Sequence, residues 1–261
     1  MSINEVSCKG VLTKSNLPEV DYCINPYIGC MHKCVYCYAS FMRRFTGHKD
    51  QKWGSFLDIK VNAAEVLGRQ RFSKKKKGTI LIGSVTDAYQ AIERKCGLTR
   101  KILEILVDQG FSISILTKSS LVTRDIDLFK RIKEIEVGMT ITSLDDRASR
   151  IFEAGASLPR ERIEALAFLK KSGIKTYAFI GPILPGVTDL RKILEELEGK
   201  VDFVMFESLN LNKANQVETA AAFAELQLDC PDDSFDWGEV EEVARIISSE
   251  LSIPVKGFYR H

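Results

Sequence analysis

The chain has no apolar run that approaches the length of a membrane span. Its first residues, Met1-Ser2-Ile3-Asn4-Glu5-Val6, lack the basic start and apolar stretch of a secretion signal. Both absences point to a cytoplasmic protein off the membrane, in a compartment where thiols stay reduced. Internal repeats, low-complexity linkers and breaks in composition are missing too. A single domain is therefore expected over residues 1–261, with a core of about 20–210 and a helical C-terminal extension over about 211–261. There is no excess of one charge sign, since 37 Lys and Arg stand against 35 Asp and Glu. That balance argues against strong nonspecific phosphate binding but leaves room for a local basic groove.

A second cysteine pair, the mark of a zinc ribbon, is also absent. Of seven cysteines, Cys8, Cys23, Cys96 and Cys230 are scattered, whereas Cys30, Cys34 and Cys37 share one short stretch, Gly29-Cys30-Met31-His32-Lys33-Cys34-Val35-Tyr36-Cys37-Tyr38. Three thiolates so close suit one small inorganic object. In a four-iron, four-sulfur cluster each holds one iron, and the fourth iron is left open for chemistry. Zinc, or three packed thiols without a metal, are the alternatives.

After this loop, short β-rich runs alternate with helical periodicity, as expected for parallel strands joined by helical crossovers. Strands are predicted at 22–24, 79–83, 112–117, 138–142, 176–180 and 202–206. Helices are predicted at 63–72, 100–109, 126–134, 158–172 and 190–198, with Ser157 as an N-cap and Gly110, Gly173 and Gly199 as stops. A helix over 214–227 and another over 237–251 follow, then a short tail after Pro254. The fold class is α/β, a partial (β/α)6 TIM-like barrel.

In such barrels the site forms at the C-terminal edge of the strands. The Lys74-Lys75-Lys76-Lys77 run precedes a strand and so reads as a solvated turn on the opposite face. The catalytic edge receives the cysteine loop, Gly83-Ser84-Val85-Thr86-Asp87-Ala88-Tyr89-Gln90 after the second strand, Thr117-Lys118-Ser119-Ser120 after the third, and Thr142-Ser143-Leu144-Asp145-Asp146 after the fourth. The loop Gly181-Pro182-Ile183-Leu184-Pro185-Gly186 follows the fifth. Glu207, Asn210 and Asn212 after the sixth are candidate substrate contacts.

The spacing Cys-x-x-x-Cys-x-aromatic-Cys resembles the signature of the radical S-adenosylmethionine (SAM) enzymes. Asn25-Pro26-Tyr27, Tyr38, Gly83-Ser84-Val85-Thr86-Asp87, Leu116-Thr117-Lys118-Ser119 and Glu153-Ala154-Gly155-Ala156 narrow the resemblance to the spore photoproduct lyase branch. It implies a [4Fe-4S] cluster on Cys30, Cys34 and Cys37, with SAM on the open iron. SAM contacts follow at Ser84, Lys118 and Ser143, with Tyr36 counted among the cofactor residues and Tyr38 matching a radical relay. The implied chemistry is reductive SAM cleavage to a 5′-deoxyadenosyl radical, fed by a low-potential donor such as flavodoxin or ferredoxin.

One departure separates the chain from the lyase proper. The lyase quenches its product radical with a cysteine where Ile82 stands here, and Cys96 is the candidate replacement hydrogen donor. A nucleic-acid substrate follows from the resemblance, with Arg43, Arg44, Lys49 and Lys52 placed to hold phosphates. A peptide or protein substrate is the second reading. A noncatalytic iron–sulfur or zinc protein is the third.

Overall fold

The computed structural model describes residues 1–72, 76–232 and 234–260. Lys74 and Lys75 of the basic run lie outside the described residues, while Lys76 and Lys77 are exposed. No helix among the described residues is long and apolar enough to cross a membrane.

Seven strands run parallel in one sheet: β3 (Tyr22–Ile24), β6 (Thr79–Ile82), β7 (Ser112–Thr117), β8 (Ile135–Thr140), β9 (Lys175–Ile180), β10 (Phe203–Glu207) and β11 (Val255–Tyr259). An eighth, β2 (Leu12–Lys14), pairs antiparallel with β3 at the other edge. The order β2-β3-β6-β7-β8-β9-β10-β11 is open, so the sheet is a partial barrel. Its strands are buried on both faces, which is why runs such as Tyr177-Ala178-Phe179-Ile180 are apolar without alternation. Gly138 of β8 lies opposite Tyr177 of β9. Any side chain at Gly138 would overlap the Tyr177 ring, which stacks on Phe203 at 5.0 Å.

The crossovers carry α3 (Leu98–Leu106), α6 (Pro159–Lys171) and α7 (Leu190–Leu197), which turn Ile102, Leu103, Leu106, Leu166, Leu169, Ile193 and Leu194 into one core. Burying such a side chain is worth about 1.5–3 kcal/mol, so each crossover is held by several of them. A separate three-stranded sheet flanks the cysteine loop. It is made of β1 (Ser2–Val6) and β5 (Phe56–Lys60), parallel to each other, and β4 (Tyr27–Ile28), antiparallel to β5.

Several sequence expectations are corrected. The strand placed at 138–142 occupies Ile135–Thr140, because β7 begins its pairing at Ile113 opposite Ile135 and so draws in the half-buried Glu136. The helix placed at 126–134 is only the short α4 (Ile126–Phe129), which a 3-10 helix, Ser120–Asp125, precedes. Ser157 does not cap α6. Leu158 holds that position, and the Ser157 hydroxyl accepts the Ser120 N–H at 3.0 Å. The tail after Pro254 is β11, which covers the edge of β10 that would otherwise stay unpaired. The C-terminal stretch is thus helical only in part, through α8 (Gln216–Glu225) and α9 (Trp237–Glu250).

Candidate active site

The loop between β4 and the 3-10 helix Tyr38–Phe45 carries the three cysteines to the C-terminal edge of the sheet. All three are free thiols. Burial pushes the Cys30 thiol up, with Asp87 and the other two cysteines adding to it. Burial likewise drives Cys34 up to about 12, against the pull of the Lys118 ammonium. Cys37 is raised by burial and eased by Lys118 and by the backbone N–H groups of Ala39 and Ser40. Three crowded thiols with cationic and N–H neighbours fit a metal cluster, whose charge replaces their protons. Among the described residues no three Cys, His, Asp or Glu side chains converge at the spacing of a single metal ion. A four-iron cluster keeps its thiolates on separate irons, further apart than the ligands of one ion.

The loop is pinned from three sides by residues whose roles the spacing alone did not reveal. His32 sets Nδ1 2.9 Å from the Gly155 carbonyl and Nε2 3.0 Å from the Asp87 carboxylate. Asp87 also accepts the Tyr89 N–H at 2.8 Å, the Thr117 hydroxyl at 2.7 Å and the Lys118 N–H at 2.8 Å. Burial alone would raise its pKa, but His32 and these donors outweigh it and hold the carboxyl well below the usual range. Gln90 accepts the Met31 N–H at 2.7 Å and donates to Thr86 at 3.0 Å. On the far side, Asn215 donates to the Tyr36 carbonyl at 2.9 Å.

Gly155 explains the Glu-Ala-Gly-Ala block. Its N–H donates to the His32 carbonyl at 2.9 Å, and any Cβ would overlap the Met31 carbonyl oxygen. Gly155→Ala is therefore expected to displace the cysteine loop. Iron and sulfide per chain after anaerobic reconstitution should fall well below the parent's, and parental loading in the variant would refute this packing.

The residues predicted to meet SAM fall into two groups. Ser84 and Tyr38 are brought together: the Tyr38 hydroxyl donates to the Ser84 carbonyl, and Asn25 donates to the Ser84 hydroxyl at 3.0 Å. Lys118 and Tyr36 form the other group, with Nζ of Lys118 5.6 Å above the Tyr36 ring. Burial works against the Lys118 ammonium, but Cys34 and Glu153 carry the balance and raise its pKa. Among the described residues it completes no ion pair. The Tyr36 hydroxyl donates to Glu153, which is paired with Arg162, so that hydroxyl is spent inside the protein. Ser143 closes the turn into α5 (Asp146–Phe152) by accepting the Asp145 N–H at 3.0 Å, and its bond to the Val187 carbonyl is long, at 3.5 Å.

Cys96 stands apart. It ends α2 (Glu93–Cys96), and its charged neighbours are Glu93, Lys95, Glu5 and Lys101, with none of the cluster cysteines among them. Ile82 is fully buried in the apolar core. Asn212 spends its side chain on the Ala214 N–H at 2.8 Å, shaping the loop ahead of α8.

A three-cysteine loop at the C-terminal edge of a parallel barrel offers the donor set of an iron–sulfur enzyme. Comparison with family models gives that class its name. The radical SAM superfamily model matches residues 24–197, and the chain belongs to that superfamily. It is an enzyme, with a [4Fe-4S] cluster and SAM as cofactors.

An uncharacterized protein of Methanocaldococcus jannaschii is 39% identical over 216 residues, covering 83% of this chain and 81% of its own. The radical SAM Nα-GlyT isomerase of Pseudomonas phage M6 is 26% identical over 176 residues, 66% of this chain and 36% of its own. Spore photoproduct lyase complexed with its dinucleoside photoproduct matches the fold with a TM-score of 0.74, at 17% identity, over 99% of this chain and 82% of that one.

Proposed function

We propose that Cys30, Cys34 and Cys37 hold the cluster, that Lys118, Ser84, Ser143 and the Tyr36 ring surround SAM, and that the substrate is a nucleic acid or one of its components. The observation that carries the SAM site is Lys118, whose half-buried ammonium sits between a cluster thiol and an aromatic face with no ion pair of its own among the described residues. A carboxylate such as that of SAM is the partner it lacks. Cys30, Cys34 and Cys37 would hold the cluster, which would supply an electron from a low-potential donor for the reductive cleavage of SAM, and so a radical able to take hydrogen from the substrate.

The protein's own work is to fix and shield these groups. His32, Asp87, Gln90 and Gly155 set the cysteine loop, and Tyr38 and Asn25 place Ser84. Tyr38 lies at the mouth for a relay. Cys96 has no place in this proposal: it ends α2, and the charged groups that weigh most on it are Glu93, Lys95, Glu5 and Lys101.

The nucleic-acid reading draws support from the basic stretch after the cluster and from the dinucleoside held by the lyase. Lys118→Met should weaken SAM binding roughly tenfold to a hundredfold, the worth of a charge-assisted bond. SAM-dependent change in the reduced cluster's electron paramagnetic resonance signal measures it, and an unchanged titration would remove Lys118 from the site. Deuterated nucleic acids and peptides, each incubated with reduced enzyme and SAM, test the substrate. Deuterium in 5′-deoxyadenosine from nucleic acid alone is expected, whereas transfer from peptides alone would overturn the reading.

A further inference from the structure

Exposed aromatic side chains are concentrated at one place on this molecule. Tyr38, Phe41 and Phe45, exposed by 46, 39 and 76%, all belong to the eight-residue 3-10 helix that follows the last cluster cysteine. Elsewhere among the described residues only Phe168 and Tyr259 are exposed aromatics of this kind. Leaving three rings exposed to this degree along one eight-residue helix forgoes apolar burial, and such a patch marks a contact surface. Ala39 and Ser40 are the buried residues of that helix, so its inner side packs while the rings stay out.

The rings are held, not loose. The Tyr38 hydroxyl donates to the Ser84 carbonyl at the end of β6, tying the first ring to the mouth. Phe41 and Phe45 pack edge to face at 6.2 Å and 79°, which fixes their relative orientation. The charges around them are one-sided. From Lys33 to Lys52 the chain carries Lys33, Arg43, Arg44, Lys49 and Lys52 against a single acid, Asp50, in a protein whose overall charge is nearly balanced. Of these cations only Lys52 reaches an acid among the described residues, Glu218 at 3.9 Å.

We infer that this helix is a stacking platform for unpaired bases, which leads a single-stranded or locally opened nucleic acid to the mouth beside Ser84. The inference rests on the nucleic-acid reading of the proposed function. Fixed aromatic faces interleaved with cations match a strand whose bases stack and whose phosphates pair with Arg and Lys. A closed duplex hides its base faces, so the platform selects strands or extruded nucleotides over paired ones. Every base has such a face, and recognition here is tolerant of sequence.

The test is fluorescence anisotropy of the cluster-loaded protein with a labelled oligothymidylate, alone and as a duplex, over a range of salt. The single strand should bind at least about tenfold tighter than the duplex. Phe41→Ala/Phe45→Ala should lose roughly tenfold or more of that affinity, with the visible cluster absorbance retained as the check on folding. Arg43→Gln/Arg44→Gln should flatten the salt dependence by roughly 0.7 for each phosphate no longer neutralised. Equal binding of strand and duplex, or parental binding by the aromatic variant, overturns the inference. So does a variant that keeps strand binding but loses SAM cleavage with reduced flavodoxin and not with dithionite, since the surface then docks an acidic electron donor. Strand binding that follows these rules without deuterium transfer from any nucleic acid supports the platform while defeating the proposed substrate.

Discussion

Cys34→Ala is expected to abolish 5′-deoxyadenosine formation in an anaerobic assay driven by dithionite. Cys34 is the middle of the three cluster positions. Its sulfur lies nearest to Lys118 in electrostatic terms, since that ammonium is the strongest influence opposing burial at this thiol. In the proposed site the substitution would remove one of three thiolate ligands, while Lys118 loses the anionic neighbour that most favours its charge. Iron and sulfide content should fall together with turnover. Cys8→Ala is the control, because Cys8 packs at the edge of the main core and its backbone is held by Asn62 at 2.8 Å, away from the loop. It should retain parental turnover. Full activity in a Cys34→Ala variant that carries a complete cluster would sink the ligand assignment.

The cysteine motif stood out in the sequence because it is local: Cys30, Cys34 and Cys37 lie within eight residues, and no tertiary packing is needed to notice them. The parallel order of β6 to β10 was legible for the same reason, since apolar runs and glycine stops are written into each segment. Pairings across long stretches were not. Ser2 pairs opposite Phe56, and Val255 opposite Val204 of the legible β10; β1, β5 and β11 are too short or too polar on their own to announce a strand.

The fasteners of the site were hidden similarly. His32 and Asp87 each stood inside a recognisable motif, yet their pairing joins loops that lie far apart in the sequence and emerges only once β6 lies beside β3. Arg162 gave no sequence signal at all, because a basic residue in an amphipathic helix ordinarily faces water.

That arginine gives the second large expected effect. Arg162 is 1% exposed and Glu153 is equally buried, and the two are paired. The guanidinium also donates to the Ser157 carbonyl at 2.7 Å and the Thr140 carbonyl at 2.9 Å, so α6, β8 and the Glu-Ala-Gly-Ala block meet at one group. Glu153 in turn accepts the Tyr36 hydroxyl from the cysteine loop. Burial alone would raise the pKa of Glu153, but Arg162 and Lys118 keep it below the usual value.

Arg162→Met leaves that carboxylate buried beside a hydrocarbon, with two carbonyls unpaired. Breaking a buried pair from one side costs about 3–5 kcal/mol, and at about 2–4 °C per kcal/mol for a chain of this size the melting temperature should drop by roughly 10 °C. A Glu153→Leu/Arg162→Met double variant removes the stranded charge and should recover part of the loss, although the Tyr36 hydroxyl is then left without its acceptor. Cluster release to a chelator should consequently be faster in both variants than in the parent. A single variant that melts within about 1 °C of the parent and holds its iron as tightly would show that the pair does not clamp the loop.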